Sequence, residues 1–157
     1  MRVQPVILAE NKIRYILVDD AGQPVIPVIK YLKHLDNTDK SRNTIKTYCY
    51  SLKLYFEFLN EIRKDYREIN ISDLSNFVGW LRNPYNNSKV LVLNPTKARR
   101  TEKTVNLTVT AVTNFYDYLF RTEEIANDII ERLIKQVFAG GRKPYKDFLF
   151  HVIRINL

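Results

Sequence analysis

The sequence predicts a mainly α fold with a small β-hairpin at its N-terminus. Three observations predict it. From Val28 onward, successive stretches carry apolar residues at the i, i+3, i+4, i+7 spacing of one helix face. Ahead of them, Ile13, Tyr15 and Leu17 alternate with polar or variable neighbours, as a half-buried strand does. The 157 residues are 45% hydrophobic, enough for a core and enough for one domain with a small appendage.

In chain order, Ile13 to Leu17 predicts the first strand. Asp19-Asp20-Ala21-Gly22 reads as a turn and Gln23 to Pro27 as the second strand, confined to an edge by its two prolines. An isolated hairpin is marginal in water, so this one must pack on the helices after it. Val28, Tyr31, Leu32 and Leu35 make a short helix. Asp36 to Lys40 is a polar connector. The stretch from Ser41 to Leu59 is the longest helical pattern, with Ile45, Tyr48, Cys49, Leu52, Tyr55, Phe56 and Leu59 on one face. Ser41 is suited to cap it, because its hydroxyl can accept from an amide of the first turn.

Arg63 to Glu68 is a charged turn. Ser72 is the expected cap of the next helix, whose face is Leu74, Phe77, Val78 and Leu81, ended by Asn83-Pro84. Trp80 borders that face, and core packing accounts for it more cheaply than base stacking. Residues 85–97 read as an excursion in which Val90 to Leu93 is a short strand or a tucked loop. The basic run from Thr96 to Lys103 leads into a further helix with Val105, Val109, Val112, Tyr116 and Leu119 on one side, widened by Phe115 and Tyr118. Its many threonines make it a mediocre helix by propensity, so tertiary packing must hold it. Asn127 or Asp128 caps a last helix with Ile129, Ile130, Leu133, Ile134, Val137 and Phe138 buried. Gly140-Gly141 stops it.

The net charge of +8 implies an acidic partner, with nucleic acid favoured over a membrane surface. No apolar run is long enough to span a bilayer, and no signal-peptide pattern opens the chain. The reading is a cytoplasmic protein, with the single cysteine, Cys49, a buried small hydrophobe. Four glycines and no phosphate loop leave no nucleotide-binding motif. Two histidines, His34 and His151, and one cysteine make no tetrahedral metal site without carboxylates from scattered positions. No nucleophile, base and orienting group assemble from nearby motifs, and no cofactor is implied.

What does converge is chemistry for phosphate. Arg42, Asn43, Thr44, Lys46 and Thr47 crowd the start of the first long helix. Lys97, Arg99, Arg100, Lys103, Thr104 and Asn106 crowd the start of the later one. Helix N-termini carry partial positive charge and unpaired amides, so cations and hydroxyls there suit a phosphate. If both starts face one side they form a single surface, with Asn43, Thr47 and Asn106 placed to reach base edges. The plainer alternative is a pair of ordinary solvated helix ends.

A resemblance then sharpens the reading. Ser41, Thr44, Ile45, Tyr48, Leu52, Phe56, Phe58 and Leu59 form one block and Ile71-Ser72-Asp73-Leu74 a second. Thr104-Val105-Asn106, leading to Ala111-Val112, Phe115-Tyr116 and Tyr118-Leu119, forms a third. In this order they resemble the N-terminal core-binding domain of the tyrosine recombinase (phage integrase) family, over roughly Val28 to Phe138. The resemblance implies a SAM-like four-helix core-binding bundle that clamps one face of a recombination half-site in double-stranded DNA. It also implies a linker beginning at Arg142 and Lys143, a separate catalytic domain, and self-association on DNA through the full-length protein. Family chemistry would be strand cleavage through a 3′-phosphotyrosyl link, without a metal.

The chain departs from the family pattern at Leu107, Thr113 and Asn114, where arginines are frequent, and at Asn127-Asp128, where Asn-Pro is usual. The segment before the later helix is also longer. His151-Val152-Ile153-Arg154 mimics the family's His-x-x-Arg motif but lies too near the linker and has no nucleophilic tyrosine after it. The expected organisation is an N-terminal hairpin over residues 1–27, the helical core-binding domain over 28–139, and a linker with the start of a missing catalytic domain over 140–157. The expected function is duplex DNA binding in recombination, with no catalysis by this chain itself. The alternatives are a helical protein-interaction module without DNA binding, and a small nuclease using His34 or His151.

Overall fold

A computed structural model describes residues 1–82 and 100–126. In chain order these form β1 (Arg2–Ile7), a 3-10 turn at Ala9–Asn11, β2 (Ile13–Val18), α1 (Ile26–Asn37), α2 (Arg42–Ile62), α3 (Ile71–Arg82) and α4 (Glu102–Arg121). The protein is mainly α, and its described residues include a two-stranded antiparallel sheet. The chain divides into two compact units, one over Met1–Arg63 and the other from Lys64 onward.

In the first unit the hairpin differs from the expectation. β2 pairs with β1, in a register that sets Arg2 opposite Val18 and Ile7 opposite Ile13. Gln23 to Pro27 is not the second strand. Pro24 makes only an isolated bridge with Val18, and the Val25 amide donates to the Leu17 carbonyl at 2.9 Å. The physical reason is that Pro24 and Pro27 leave too few amides for a ladder, whereas Pro27 in the first turn suits a helix start. α1 therefore begins at Ile26 rather than Val28. Pro5 is tolerated in β1 because a strand of a two-stranded sheet has an outer edge that needs no amide. The turn at Asp19 to Gly22 forms as expected. Gly22 takes φ +78°, and the Asp19 carboxylate accepts from the Gln23 amide at 2.8 Å.

The helices of this unit follow their apolar spacing. α1 buries Val28, Tyr31, Leu32 and Leu35, and α2 buries Ile45, Cys49, Leu52, Tyr55, Phe56, Phe58 and Leu59. Burying each such side chain is worth about 1.5–3 kcal/mol over leaving it in water. Both helices pack with β2, which contributes Leu17 and Val18 to the core. Arg14 of β2 meets the Asp36 carboxylate of α1 through Nε at 2.8 Å and Nη2 at 2.8 Å, a forked pair that fixes strand to helix. Both side chains remain about one-third exposed, so the pair contributes no more than about 1 kcal/mol.

The second unit begins with a paired start for α3. The Asn70 side chain accepts from the Asp73 amide at 3.0 Å, and the Asp73 carboxylate accepts from the Asn70 amide at 2.8 Å. Asn70, not Ser72, is therefore the cap. This reciprocal arrangement satisfies two amides at once, which a serine inside the first turn cannot do. Asp73 is 8% exposed, and the Lys64 ammonium meets both its oxygens at 2.9 Å. α3 buries Leu74, Phe77, Val78 and Leu81, as its spacing predicts.

α4 buries Val105, Ala111, Val112, Phe115, Tyr116 and Leu119, and with them Thr108 and Thr113. Those two hydroxyls donate back to the Thr104 and Thr110 carbonyls at 2.9 and 3.0 Å, so neither enters the core unpaired. Tyr116 is fully buried, and its hydroxyl donates to the Tyr66 carbonyl at 2.8 Å, tying α4 to the loop before α3. The helix expected over residues 129–138, its glycine stop, the excursion over 85–97 and the linker lie outside the described residues.

This packing has three testable consequences. Tyr116→Phe should cost about 1–2 kcal/mol, because it strands a carbonyl beneath α4, and urea unfolding should show a lower midpoint at unchanged slope. Asn70→Ala should cost about 1 kcal/mol by the same assay. Burial pushes the Cys49 thiol up to about 12. The folded protein should therefore resist alkylation by iodoacetamide at pH 8 and react fully in urea, as read by mass. From about pH 9 the unfolded chain would lose the thiol proton before the folded one, so this group lowers stability as pH rises toward 12.

Candidate nucleic-acid interface

The starts of α2 and α4 are built alike. At α2 the Ser41 hydroxyl accepts from the Thr44 amide at 3.1 Å, and the two hydroxyls lie 2.9 Å apart. At α4 the Thr101 hydroxyl accepts from the Thr104 amide at 3.3 Å, with the hydroxyls 3.0 Å apart. Each cap occupies one amide of the first turn. The amides of the two residues after the cap, Arg42 and Asn43 or Glu102 and Lys103, still have no intrahelical acceptor. The cap that the sequence predicts at Ser41 is present. The cap at Thr101 is not among the sequence expectations, although its spacing to Thr104 repeats that of Ser41 to Thr44 and is the signal that could reveal it.

Around the α2 start, Arg42, Asn43 and Lys46 are exposed, while Thr44 and Thr47 are half-buried. The Thr47 hydroxyl donates to the Asn43 carbonyl at 2.8 Å, which leaves the Asn43 side chain as the more available polar group. The Lys46 ammonium stands 5.7 Å from the centre of the Tyr15 ring on β2, so hairpin and helix start share a cation–π contact. No carboxylate occupies the first turn of α2.

Around the α4 start, Lys103 and Thr104 are exposed and Asn106 is half-buried. Glu102 occupies the first turn and pairs with Arg82 of α3 at 3.7 Å. Arg100 is half-buried, with its guanidinium turned to the end of α3. Lys97, Arg99, Arg142 and Lys143 lie outside the described residues. The two helix starts belong to different compact units. Of the expected residues, the structure thus gathers Arg42, Asn43, Thr44, Lys46 and Thr47 at one start and Arg100, Lys103, Thr104 and Asn106 at the other.

Other chemistries find less. Among the described residues no group of three His, Cys, Asp or Glu side chains could hold a metal ion. His34 is exposed near the end of α1. No helix among the described residues is long and apolar enough to cross a membrane.

Residues 28–123 match the family model described as phage integrase, N-terminal SAM-like domain. Over 155 residues the chain is 44% identical to Transposase A from transposon Tn554 of Staphylococcus aureus, in sequences that include those of strains N315 and Mu50. That similarity takes in 97% of this chain and 40% of the relative. The chain therefore spans about two fifths of the length of the curated relatives it matches. No solved structure matches it. With more than half its length matching that model and all three sequence blocks inside the matched range, the chain belongs to the phage integrase family through its N-terminal SAM-like domain.

Proposed function

We propose that this chain binds duplex DNA as the core-binding part of a site-specific tyrosine recombinase, and that the starts of α2 and α4 grip its phosphates. The observation that carries the reading is the twofold recurrence of one device, a hydroxyl-capped helix start with an exposed basic side chain beside it, Arg42 and Lys46 at α2 and Lys103 at α4. Phosphate contacts give affinity and register without sequence information. Arg42, Lys46 and Lys103 would supply charge, with Thr44 and Thr104 adding hydroxyls. Lys97, Arg99, Arg142 and Lys143 extend the same chemistry by sequence. Asn43 and Asn106 would read base edges, since an amide can both donate and accept. The full-length protein would then carry out recombination or transposition, with strand cleavage assigned to a separate catalytic domain.

Titration against duplex DNA at several salt concentrations tests this. The native chain should bind with an affinity that falls steeply as salt rises, through release of counterions. Arg42→Ala and Lys103→Ala should each weaken binding to every duplex and lower the log–log salt slope by about 0.9. Arg121→Gln alters a cation at the other end of α4, about 27 Å from Lys103 at 1.5 Å per residue, and should change little. Equal losses from all three would show diffuse basic character and defeat the proposed sites. Absence of salt-dependent binding by the native chain would favour a helical protein-interaction module instead.

A further inference from the structure

We infer that Arg100 is a positioning residue: it clasps the end of α3 and thereby fixes the capped start of α4, and does not itself grip a phosphate. This rests on the DNA-binding reading above. Within the basic run, Arg100 counts by sequence as one more phosphate ligand. Its geometry gives it other work. Nη1 donates to the Leu81 carbonyl at 3.0 Å. Leu81 stands in the last turn of α3, where carbonyls lack intrahelical donors and the helix dipole favours a cation.

The guanidinium also lies over the Trp80 ring, 5.5 Å from its centre. Trp80 in turn stacks on Phe77 at 6.0 Å with 21° between planes, and Phe77 is 1% exposed. The plate under Arg100 is thus anchored in the core of this unit. Arg100 immediately precedes the Thr101 cap, and one residue beyond that cap Glu102 reaches Arg82. Two contacts, on either side of Thr101, therefore hold the first turn of α4 to the last turn of α3. A planar fork over an aromatic face is chemistry that lysine does not reproduce.

The test has one arm without DNA and one with it. Trp80 is the sole tryptophan, so its emission reports the clasp directly. In the absence of DNA, Arg100→Ala and Arg100→Lys should both shift that emission and speed amide exchange at Val105, with far-UV circular dichroism confirming that the helices persist. Unchanged emission and exchange would overturn the clasp, whatever the DNA result. In the DNA arm both variants should weaken binding by roughly tenfold, with the salt slope left at the native value, unlike Lys103→Ala. A slope lowered by about 0.9 in Arg100→Ala, with binding restored in Arg100→Lys, would make Arg100 a phosphate ligand and overturn the inference. A native chain that binds no duplex would defeat the DNA reading alone, because the first arm still decides the clasp.

Discussion

The unpaired amides at a helix start are the constraint on which most of this structure depends. Ser41, Asn70 and Thr101 each offer a side-chain oxygen to the amide three residues on, and each thereby fixes where a helix begins. A start placed in this way also fixes which residues stand around it. At α2 those neighbours are cations and small polar groups, and at α4 they are Lys103, Thr104 and the Glu102 carboxylate paired with Arg82, with the helix dipole adding partial positive charge at both. At α3 the same problem is solved inward. There the Asp73 carboxylate, held by Lys64 and the Asn70 amide, neutralises the end of the helix. One local requirement thus gives two starts capped by a hydroxyl and one capped by a side-chain amide, with a buried carboxylate in its first turn.

The packing behind those starts is what makes them persist. α4 carries threonines that favour other conformations, and a helix of such composition is marginal alone. Its residence against α3 changes that balance, since Val105, Val112, Phe115 and Leu119 leave water entirely or nearly so. The Tyr116 hydroxyl adds one directional bond to the Tyr66 carbonyl. That bond sets how far along its axis α4 can slide, which apolar contact alone leaves loose. In the first unit the Arg14–Asp36 fork does comparable work between β2 and α1, where buried Leu17 and Val28 supply the non-directional part.

Much of this was legible in the residues because it is local. The face of α2 repeats with the helical period along its length, and the Ser41 cap sits immediately before it, so start and buried side could both be read. The turn at Asp19 to Gly22 was legible for the same reason, an aspartate and a glycine at fixed separation. The family blocks are likewise runs of helical residues, the first of them with its cap. The partner of β2 was not legible. Strand pairing joins residues distant in sequence, and Gln23 to Val25 is as extended in pattern as Arg2 to Ile7. The cap of α3 was displaced by two residues because Ser72 has the right chemistry, while only the reciprocal bonds of Asn70 and Asp73 reveal which side chain reaches an amide.

By itself the sequence determined that this protein is mainly α, where its long helices run, which family it belongs to, and that cations gather at two helix starts. Each of these depends on spacing along one segment, and spacing is written in the chain. Only tertiary structure decided that the hairpin forms from Arg2–Ile7 and that Thr108 and Thr113 lie in the core. It also decided that Arg100, one cation among several in the basic run, turns its guanidinium onto Trp80 and the Leu81 carbonyl. A long flexible side chain has many rotamers of similar energy. Which of them is occupied is set by the carbonyl and aromatic face that another helix brings within reach.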